Sequence, residues 1–444
     1  MSSAMQQSLG PSSSAMERDA RRIHDDTPYL PKYCLGVVIG RAAEFFDFFV
    51  YGIASVVVFP QLFFPFAPDR LTATLYSFAI FSLAFVARPV GSLVFMAIDR
   101  TYGRGVKLTI ALFLLGGSTA SIAFLPGYPT LGAWSIVLLA VFRLGQGFAL
   151  GGAWDGLASL LALNAPQHHR GWYAMIPQLG APLGFMLASA LFAYFLVSIS
   201  EADFLAWGWR YPFFVAFAIN VVALFTRLRL VMTKEFGTLL DVHELQAARV
   251  TEVLRVNGGN VLVGAFVPLA SFALFHLVTV FPLSWVEIYT DHGASSFLMV
   301  QFLGAVCGIL AIIASGLIAD RIGRRNHLGI CAVLIAIFSF VAPMLLQAGA
   351  TGRDVFVIVG FTILGLSLAR PRSRCSRFGK AYRYTGAALT SDLSWLIGAG
   401  FAPLVALGLT SRFGLAFAGY YLLSGALCTI LALVFSKKLE IDNE

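Results

Sequence analysis

The stretch GLIADRIGRR (residues 316–325) is a short charged segment between two long apolar runs. Its Gly323-Arg324 pair has a counterpart, Gly103-Arg104, which follows an earlier apolar run 220 residues upstream in a chain of 444 residues. That separation is close to half the chain length. Repetition at this distance indicates two consecutive halves with the same internal order.

The composition around these segments excludes an ordinary soluble domain. Apolar residues make up 58% of the chain and charged residues 12%, whereas a soluble domain carries roughly 25% charged residues. Apolar runs of ~20 residues, the length that crosses a bilayer as a helix, recur almost to the C-terminus. Because the hydrocarbon contains no water to satisfy a backbone, such runs must be helical. The sequence therefore predicts an all-α polytopic membrane protein.

Twelve transmembrane helices are predicted, in two pseudo-symmetric six-helix halves. The predicted spans are Tyr33–Phe59, Leu71–Ile98, Val106–Leu125, Gly132–Leu161, Gly171–Ile199, Tyr211–Phe225, Gly258–Ile288, Phe297–Ala319, His327–Leu346, Val355–Ala369, Tyr384–Leu409 and Phe413–Phe435. The predicted organisation is a disordered cytoplasmic tail (1–32), an N-terminal half (33–226), a cytoplasmic linker (227–257), a C-terminal half (258–436) and a second cytoplasmic tail (437–444).

The distribution of basic residues predicts the orientation. Of the 31 Lys and Arg residues, four lie in loops assigned to the outside and three lie within spans, which leaves 24 on the inner side. Basic residues collect on the cytoplasmic side of membrane proteins. We therefore expect a multi-pass protein of the plasma (inner) membrane with both termini in the cytoplasm. The same distribution argues against nucleic acid as a partner, because no basic soluble module is present.

Several motifs, spread in order over most of the chain, carry a resemblance to a known family. They are GLIADRIGRR (316–325), GRAAEFFDFFVYG (40–52), ARPVGSLVF (87–95), RLGQGFALGGAWDG (143–156), PQLGAPLG (177–184) and RYTGAAL (383–389). The chain resembles the metabolite:proton symporter family of the major facilitator superfamily. That family includes carriers of shikimate, α-ketoglutarate, citrate, dicarboxylates and proline or betaine. The resemblance implies import of a small, often anionic, metabolite together with protons.

The chain also departs from the family pattern. Arg41 replaces a usual Asn or Ser, Ala153 replaces a Glu, and Arg100 stands where the first loop motif has an Asp. The basic segment Arg370–Lys380 shortens the tenth span to about 15 apolar residues, which is short for a ~30 Å core. This segment is either a genuine basic inner loop or the product of two compensating frameshifts.

Charged residues inside the spans are the main functional candidates, because a charge at a helix centre costs about 2.5–3.5 kcal/mol on insertion scales. Arg41, Glu44, Asp47 and Tyr51 share roughly one face of the first helix. Burial favours the protonated form of a carboxyl group, a property that a proton carrier needs. We predict that Glu44 or Asp47 takes the transported proton; the alternative is a static ion pair. His276 in the seventh span is a third candidate for proton coupling, or else a packing residue.

Arg143 in the fourth span is the first choice for binding an organic anion, since a guanidinium can bind a carboxylate through two hydrogen bonds. Its alternative role is a buried partner for Glu44 or Asp47. Further candidates for substrate binding, each of which could instead be structural, are Arg41, Tyr51, Arg88, Gln146, Trp154, Gln178, Asp392 and Trp395.

The two loop motifs predict a conformational latch between helices. Its candidate residues are Asp99, Arg100, Arg104, Asp320, Arg321, Gly323, Arg324 and Arg325. The same charges could serve only to orient the chain in the membrane.

The predicted function is secondary active transport by alternating access, with a small solute, protons and the lipid bilayer as partners and a monomeric state. No nucleotide loop, metal motif or nucleophile elbow occurs in the sequence, so we expect neither a cofactor, a metal nor an enzyme. Because Ala153 lacks the family carboxylate, a uniporter or exporter of the same fold remains an alternative. A non-transporting sensor is a weaker one.

Overall fold

The computed structural model describes residues 30–153, 161, 170–231, 248–368 and 382–441. These ranges contain helices joined by short turns and no strand. Eleven helices among them are long and apolar enough to cross a membrane. A twelfth long helix, Leu30–Val57, carries the charged residues Arg41, Glu44 and Asp47. The all-α polytopic fold predicted from the sequence is confirmed.

We number these helices in chain order. The first half contains α1 (Leu30–Val57), α2 (Arg70–Tyr102), α3 (Arg104–Phe124), α4 (Ala133–Gly152), α5 (Gly171–Ser198) and α6 (Glu201–Arg229). The second half contains α7 (Leu269–Tyr289), α8 (Ala294–Ile322), α9 (Arg324–Gln347), α10 (Gly349–Ser367), α11 (Tyr384–Phe413) and α12 (Ala416–Phe435). A further helix, Val250–Phe266, leads into α7.

The packing of helices repeats between the halves. In the first half α1 packs on α5 and α6, α2 packs on α4, and α3 packs on α6. The second half shows the same pairs shifted by six helices, with α7 on α11 and α12, α8 on α10, and α9 on α12. Across the halves, α5 packs on α8 and α2 packs on α11. The repeat seen in the sequence is thus a structural repeat.

Equivalent glycines form the α2–α3 and α8–α9 turns. Gly103 is the single residue between α2 and α3, with φ of 85°, and Gly323 is the single residue between α8 and α9, with φ of 81°. Residues with a Cβ rarely adopt this left-handed conformation. The Gly-Arg repeat therefore marks two sharp reversals at one end of the bundle, which we call the loop end.

The α2 and α4 backbones approach each other closely where glycines replace side chains. A Cβ on Gly147 would lie 2.1 Å from the Ala84 carbonyl oxygen, and one on Gly91 would lie 2.0 Å from the Phe148 carbonyl oxygen. Small residues permit such contact between membrane helices. This packing holds α4, and the arginine it carries, against α2.

The α7 helix is interrupted close to a proline. It begins after Pro268, whose backbone is not helical, and is broken at Thr279, three residues before Pro282. Proline has no N–H to donate to the carbonyl four residues earlier, here that of Val278. The Gln301 amide of α8 donates to the carbonyls of Val278 (2.9 Å) and Thr279 (2.8 Å). A side chain from a neighbouring helix therefore satisfies the break.

The α10 helix is longer than the apolar run that predicted it. It begins at Gly349 and ends at Ser367. Arg353 and Asp354 therefore lie inside its first turns, and the Arg353 side chain is largely buried. The 19 residues of this helix cross most of a ~30 Å core at 1.5 Å per residue. The basic segment 370–380, on which two explanations were left open, lies outside the described residues.

Candidate transport site

The α1 helix separates its two carboxylates into different environments. Glu44 pairs with Arg41 at 2.6 Å and with Arg227 of α6 at 2.6 Å. Its side chain is 8% exposed. Two guanidinium groups therefore hold the Glu44 carboxylate, which favours its charged form. Arg41, a substrate-binding candidate from the sequence, is thus part of this cluster.

Asp47, one turn further along α1, is buried among neutral donors. The Thr119 hydroxyl of α3 donates to its carboxyl, and the Asn220 (3.2 Å) and Gln146 (3.4 Å) side-chain amides donate as well. No Lys or Arg nitrogen of the described residues lies within 4.0 Å of this carboxyl group. Asp47 is thus an acid away from water without a directly bonded counter-ion.

Arg143 is buried at the centre of the first half. Its Nε donates to the Phe81 carbonyl oxygen (3.1 Å) and its Nη1 to Gln146 Oε1 (3.0 Å). Its Cζ lies 3.9 Å from the centre of the Tyr51 ring, a cation–π contact. The Arg143 Nη2 has no hydrogen-bond partner among the described residues.

Gln146 connects the arginine to the acid. Its oxygen accepts from Arg143, and its nitrogen donates to Asp47 and to the Thr119 hydroxyl (2.8 Å). The amide dipole therefore points its negative end at the guanidinium and its positive end at the carboxyl. Gln146 therefore links Arg143 to Asp47 through hydrogen bonds.

Further polar groups near the centre have unsatisfied atoms. His276 of α7 is fully buried, and its ring centre lies 5.5 Å from those of Phe48 and Phe81. Within the described ranges, hydrogen-bond partners are lacking for both His276 ring nitrogens, the Tyr51 hydroxyl and Gln178 Nε2. Buried polar groups normally find partners. These atoms are thus suited to a polar ligand.

Among the described residues, a small cavity lies between the two halves. A cavity of about 20 Å³, room for roughly one water molecule, lies among Phe49, Phe185, Phe275 and Phe361 and their neighbours. Aromatic side chains fill the rest of the centre.

One ion pair joins the halves beside this centre. Arg88 of α2 donates through Nε to Asp392 of α11 at 2.8 Å, and the Ser92 hydroxyl donates to the same carboxylate. The Arg88 Cζ also lies 5.6 Å from the centre of the Trp395 ring. Immediately after Trp395, α11 contains a π-helical turn, Leu396–Gly400, a feature frequent at functional sites. Two substrate-binding candidates from the sequence, Asp392 and Trp395, thus meet Arg88.

The loop-end residues make several contacts across the halves. Asp99 pairs with Lys107 at 2.8 Å and lies 3.9 Å from Arg104, while Lys107 also donates to the Tyr384 hydroxyl of α11 (2.9 Å). Arg100 donates to the Ala248 carbonyl oxygen before α7 (3.1 Å).

In the second motif, Asp320 of α8 accepts from the backbone N–H groups of Gly171 and Trp172 at the start of α5. Arg325, by contrast, makes its described contact within the second half, where its side chain donates to the Leu433 carbonyl oxygen of α12. Arg321 is exposed and Arg324 half-buried. At the opposite end of the bundle, Arg70 of α2 pairs with Glu287 of α7.

Sequence reasoning missed several residues of these networks. Each is a single polar residue whose partners lie on other helices, so spacing along one helix carries no signal for it. These residues are Thr119, Asn220, Arg227, Lys107 and Tyr384. A buried lysine three residues into α3 (Lys107) could have been noted as a partner for Asp99. Trp154, a predicted substrate-binding residue, lies outside the described residues.

Comparison with known proteins defines the class. A family model described as "Sugar (and other) transporter" matches residues 33–262. The chain is 34% identical to the inner membrane metabolite transport protein YhjE of Escherichia coli (strain K12), over 95% of this chain and 98% of that protein. It is 31% identical to the shikimate transporter of the same strain, over 91% and 93% of the two chains.

The solved structures agree on the fold. The structure of the major facilitator proton:xylose symporter XylE bound to 6-bromo-6-deoxy-D-glucose superposes with a TM-score of 0.71 at 16% identity, covering 93% of this chain and 96% of that one. Two repeated six-helix halves around buried charges are the architecture of a polytopic solute transporter. The chain belongs to the sugar (and other) transporter family of the major facilitator superfamily, and the resemblance to metabolite:proton symporters is confirmed.

Proposed function

We propose that the protein is a proton-coupled symporter that imports a small organic carboxylate across the inner membrane by alternating access. The observation that carries this proposal is Arg143, a fully buried guanidinium with one nitrogen unpartnered among the described residues and with a hydrogen-bonded link to an acid. An anion at Arg143 supplies the missing acceptor and neutralises a costly charge. The names of the relatives, a metabolite transporter and a shikimate transporter, support a metabolite as the solute.

In the proposed cycle, Asp47 carries the proton and Arg143 binds the solute carboxylate. While Asp47 is charged, the Gln146 amide N–H points toward it. The Gln146 amide oxygen and the Phe81 carbonyl oxygen then both accept hydrogen bonds from Arg143. Protonation of Asp47 removes the attraction that holds the Gln146 N–H, so the amide relaxes and Arg143 becomes available to the solute. Glu44 remains a structural ion pair, because Arg41 and Arg227 already hold it.

The rocking bodies in this proposal are residues 33–226 and 258–436, joined by the linker 227–257, with the loop end and both termini in the cytoplasm. A single chain holds both halves of the site, so the proposed working unit is a monomer. Movement would open the Arg88–Asp392 contact and the loop-end contacts together, since both join the halves.

Uptake into proteoliposomes tests the proposal. The panel is labelled shikimate, α-ketoglutarate, citrate, proline, betaine and xylose, each measured with and without an imposed proton gradient. We expect gradient-driven accumulation of a carboxylate, its loss in Asp47→Asn, and survival of solute exchange in that variant. Glu44→Gln is the matched control.

Three outcomes would contradict the proposal. Uptake that does not change with the imposed proton gradient would indicate a uniporter, and efflux under the same gradient would indicate an exporter. Undiminished proton-coupled uptake in Asp47→Asn would exclude Asp47 as the proton carrier, and the same result in Glu44→Gln would exclude both acids.

A further inference from the structure

His276 of α7 is a buried polar side chain of the second half that packs against aromatic rings of the first. It is fully buried, and neither of its ring nitrogens has a hydrogen-bond partner among the described residues. Its ring centre lies 5.5 Å from those of Phe48 and Phe81 and 6.0 Å from that of Phe85. These three rings belong to α1 and α2. Because buried polar groups normally find partners, an imidazole aimed at the other half in this way points to a ligand.

Arg143 and His276 contact the same two rings from different halves of the protein. The Arg143 Cζ lies 5.8 Å from the Phe48 ring centre and 4.7 Å from the Phe81 ring centre, and the His276 ring centre lies 5.5 Å from each. When the halves separate in the proposed cycle, both side chains would face one cleft. One small solute could therefore contact the guanidinium with one end and the imidazole with the other.

The position of His276 in α7 supports the same reading independently. It lies three residues before the break at Thr279, whose backbone N–H donates to the His276 carbonyl oxygen. In transporters, solute sites are built where membrane helices are interrupted. The histidine is thus placed at the one break within α7.

The surroundings of His276 favour its neutral form. No carboxylate oxygen of the described residues lies within 4.0 Å of its nitrogens, and the positive Arg143 packs on the same rings. A protonated imidazole would be a buried charge without a partner, which is costly. A neutral imidazole has one nitrogen that donates and one that accepts.

A hydroxyl group matches a neutral imidazole better than a second carboxylate does. A hydroxyl both donates and accepts, whereas a carboxylate only accepts. A second carboxylate at this position would also lack a counter-ion, because Arg88 beside this centre is already paired with Asp392. The chemistry therefore favours a solute with one carboxylate and a neutral polar group opposite it.

We propose that His276 determines specificity by binding a hydroxyl group of the solute, and that the solute is a hydroxylated monocarboxylate. Its carboxylate lies on Arg143 and its hydroxyl on His276, so the solute bridges the halves. This inference rests on the proposed function for the carboxylate. It assigns His276 to solute recognition and not to proton coupling, the role that the sequence suggested.

Isothermal titration calorimetry of the detergent-purified full chain tests this role with three acids on one skeleton. The probes are cyclohexanecarboxylate and its derivatives with a hydroxyl or a second carboxylate on the opposite ring carbon. The hydroxy acid should bind about tenfold more tightly than the parent acid, the effect of one neutral hydrogen bond. The diacid should bind at least about tenfold more weakly than the parent acid, because its second charge is buried without a partner.

Substitutions at His276 connect this preference to the imidazole. His276→Phe should give the hydroxy acid the same Kd as the parent acid, because the ring keeps its packing and loses both nitrogens. His276→Asn keeps one donor group and one acceptor, so it should retain part of the preference. His292→Phe is the matched control, because it replaces an exposed histidine in the turn after α7 and should leave all three Kd values unchanged.

Each other outcome contradicts a definite statement. Equal binding of the parent and hydroxy acids by the unmodified protein, or an intact preference in His276→Phe, would overturn the role of His276 and leave the carboxylate proposal standing. Failure of all three acids to bind would refute the carboxylate proposal, and this inference with it. Binding is measured without a proton gradient, so the result does not depend on whether transport is proton-coupled.

Discussion

The Arg88–Asp392 ion pair joins the halves beside the candidate site, and Asp392→Asn tests its contribution. The two side chains are 14% and 5% exposed, and the Ser92 hydroxyl also binds the carboxylate. Removing one partner of a buried ion pair costs about 3–5 kcal/mol, since the other charge stays buried. Asparagine keeps one acceptor oxygen for Arg88, so we expect a value near the lower bound of about 3 kcal/mol.

In the proposed alternating-access cycle, that energy acts on the equilibrium between the closed state and the state open at the loop end. The pair exists only while the halves are closed at this position, so its loss destabilises the closed state relative to the state open at the loop end. A difference of about 3 kcal/mol shifts such an equilibrium by more than 100-fold, because each 1.4 kcal/mol is a factor of ten.

Hydrogen–deuterium exchange measured by mass spectrometry reports the shift. In Asp392→Asn, peptides around Gly171 and Asp320 at the loop end should exchange faster, while peptides at the opposite end should not. Glu287→Gln breaks the Arg70 pair at that opposite end, where the side chains are 39% and 17% exposed. Exposed pairs contribute about 0–1 kcal/mol, so this variant should give a change in the opposite direction of at most about fivefold.

Two results would refute this reasoning. Unchanged loop-end exchange in Asp392→Asn would show that the ion pair does not hold the halves together. Equal acceleration at both ends would show that the substitution destabilises the whole protein and does not select one conformation.

Three further predictions concern single positions. Gln301→Leu removes the two donors to the break in α7, and each carbonyl left without a partner should cost about 1–3 kcal/mol, seen as a lower melting temperature; an unchanged melting temperature would contradict the capping role. Gly147→Leu should prevent proper folding because even its Cβ would meet the Ala84 carbonyl oxygen at 2.1 Å, whereas Gly117→Leu, with no atom within 4 Å, should yield monodisperse protein by size-exclusion chromatography. Arg143→Lys keeps the charge and loses the planar fork of donors. Losing a hydrogen bond to a charged group costs about 1.5–3 kcal/mol, so the KM for the carboxylate should rise roughly 10- to 100-fold. An unchanged KM would exclude direct binding.

The structure distinguishes two acids that the sequence left equivalent. Spacing along α1 placed Glu44 and Asp47 on one face and predicted that either could take a proton. Glu44 is held by Arg41 and by Arg227, which lies 183 residues later in the chain, whereas Asp47 receives only neutral donors. No pattern within α1 could predict this difference, because the deciding partners belong to α3, α4 and α6.

Some properties of this protein follow from its sequence alone. The length and apolarity of the runs require membrane-spanning helices, since a backbone in hydrocarbon must satisfy its own hydrogen bonds. The Gly323-Arg324 repeat gives two halves, and the charges within the spans identify the candidate site. Each of these properties is local, or depends on a separation counted along the chain.

Only the tertiary structure decided which of these charges meet. Arg88 reaches Asp392 across 304 residues, Gln146 joins Arg143 to Asp47, and Arg325 contacts α12. A helix fixes the direction of its own side chains, but their partners depend on how distant helices pack. The physical reason is that pairing energies act through space over a few ångströms, whatever the separation along the chain.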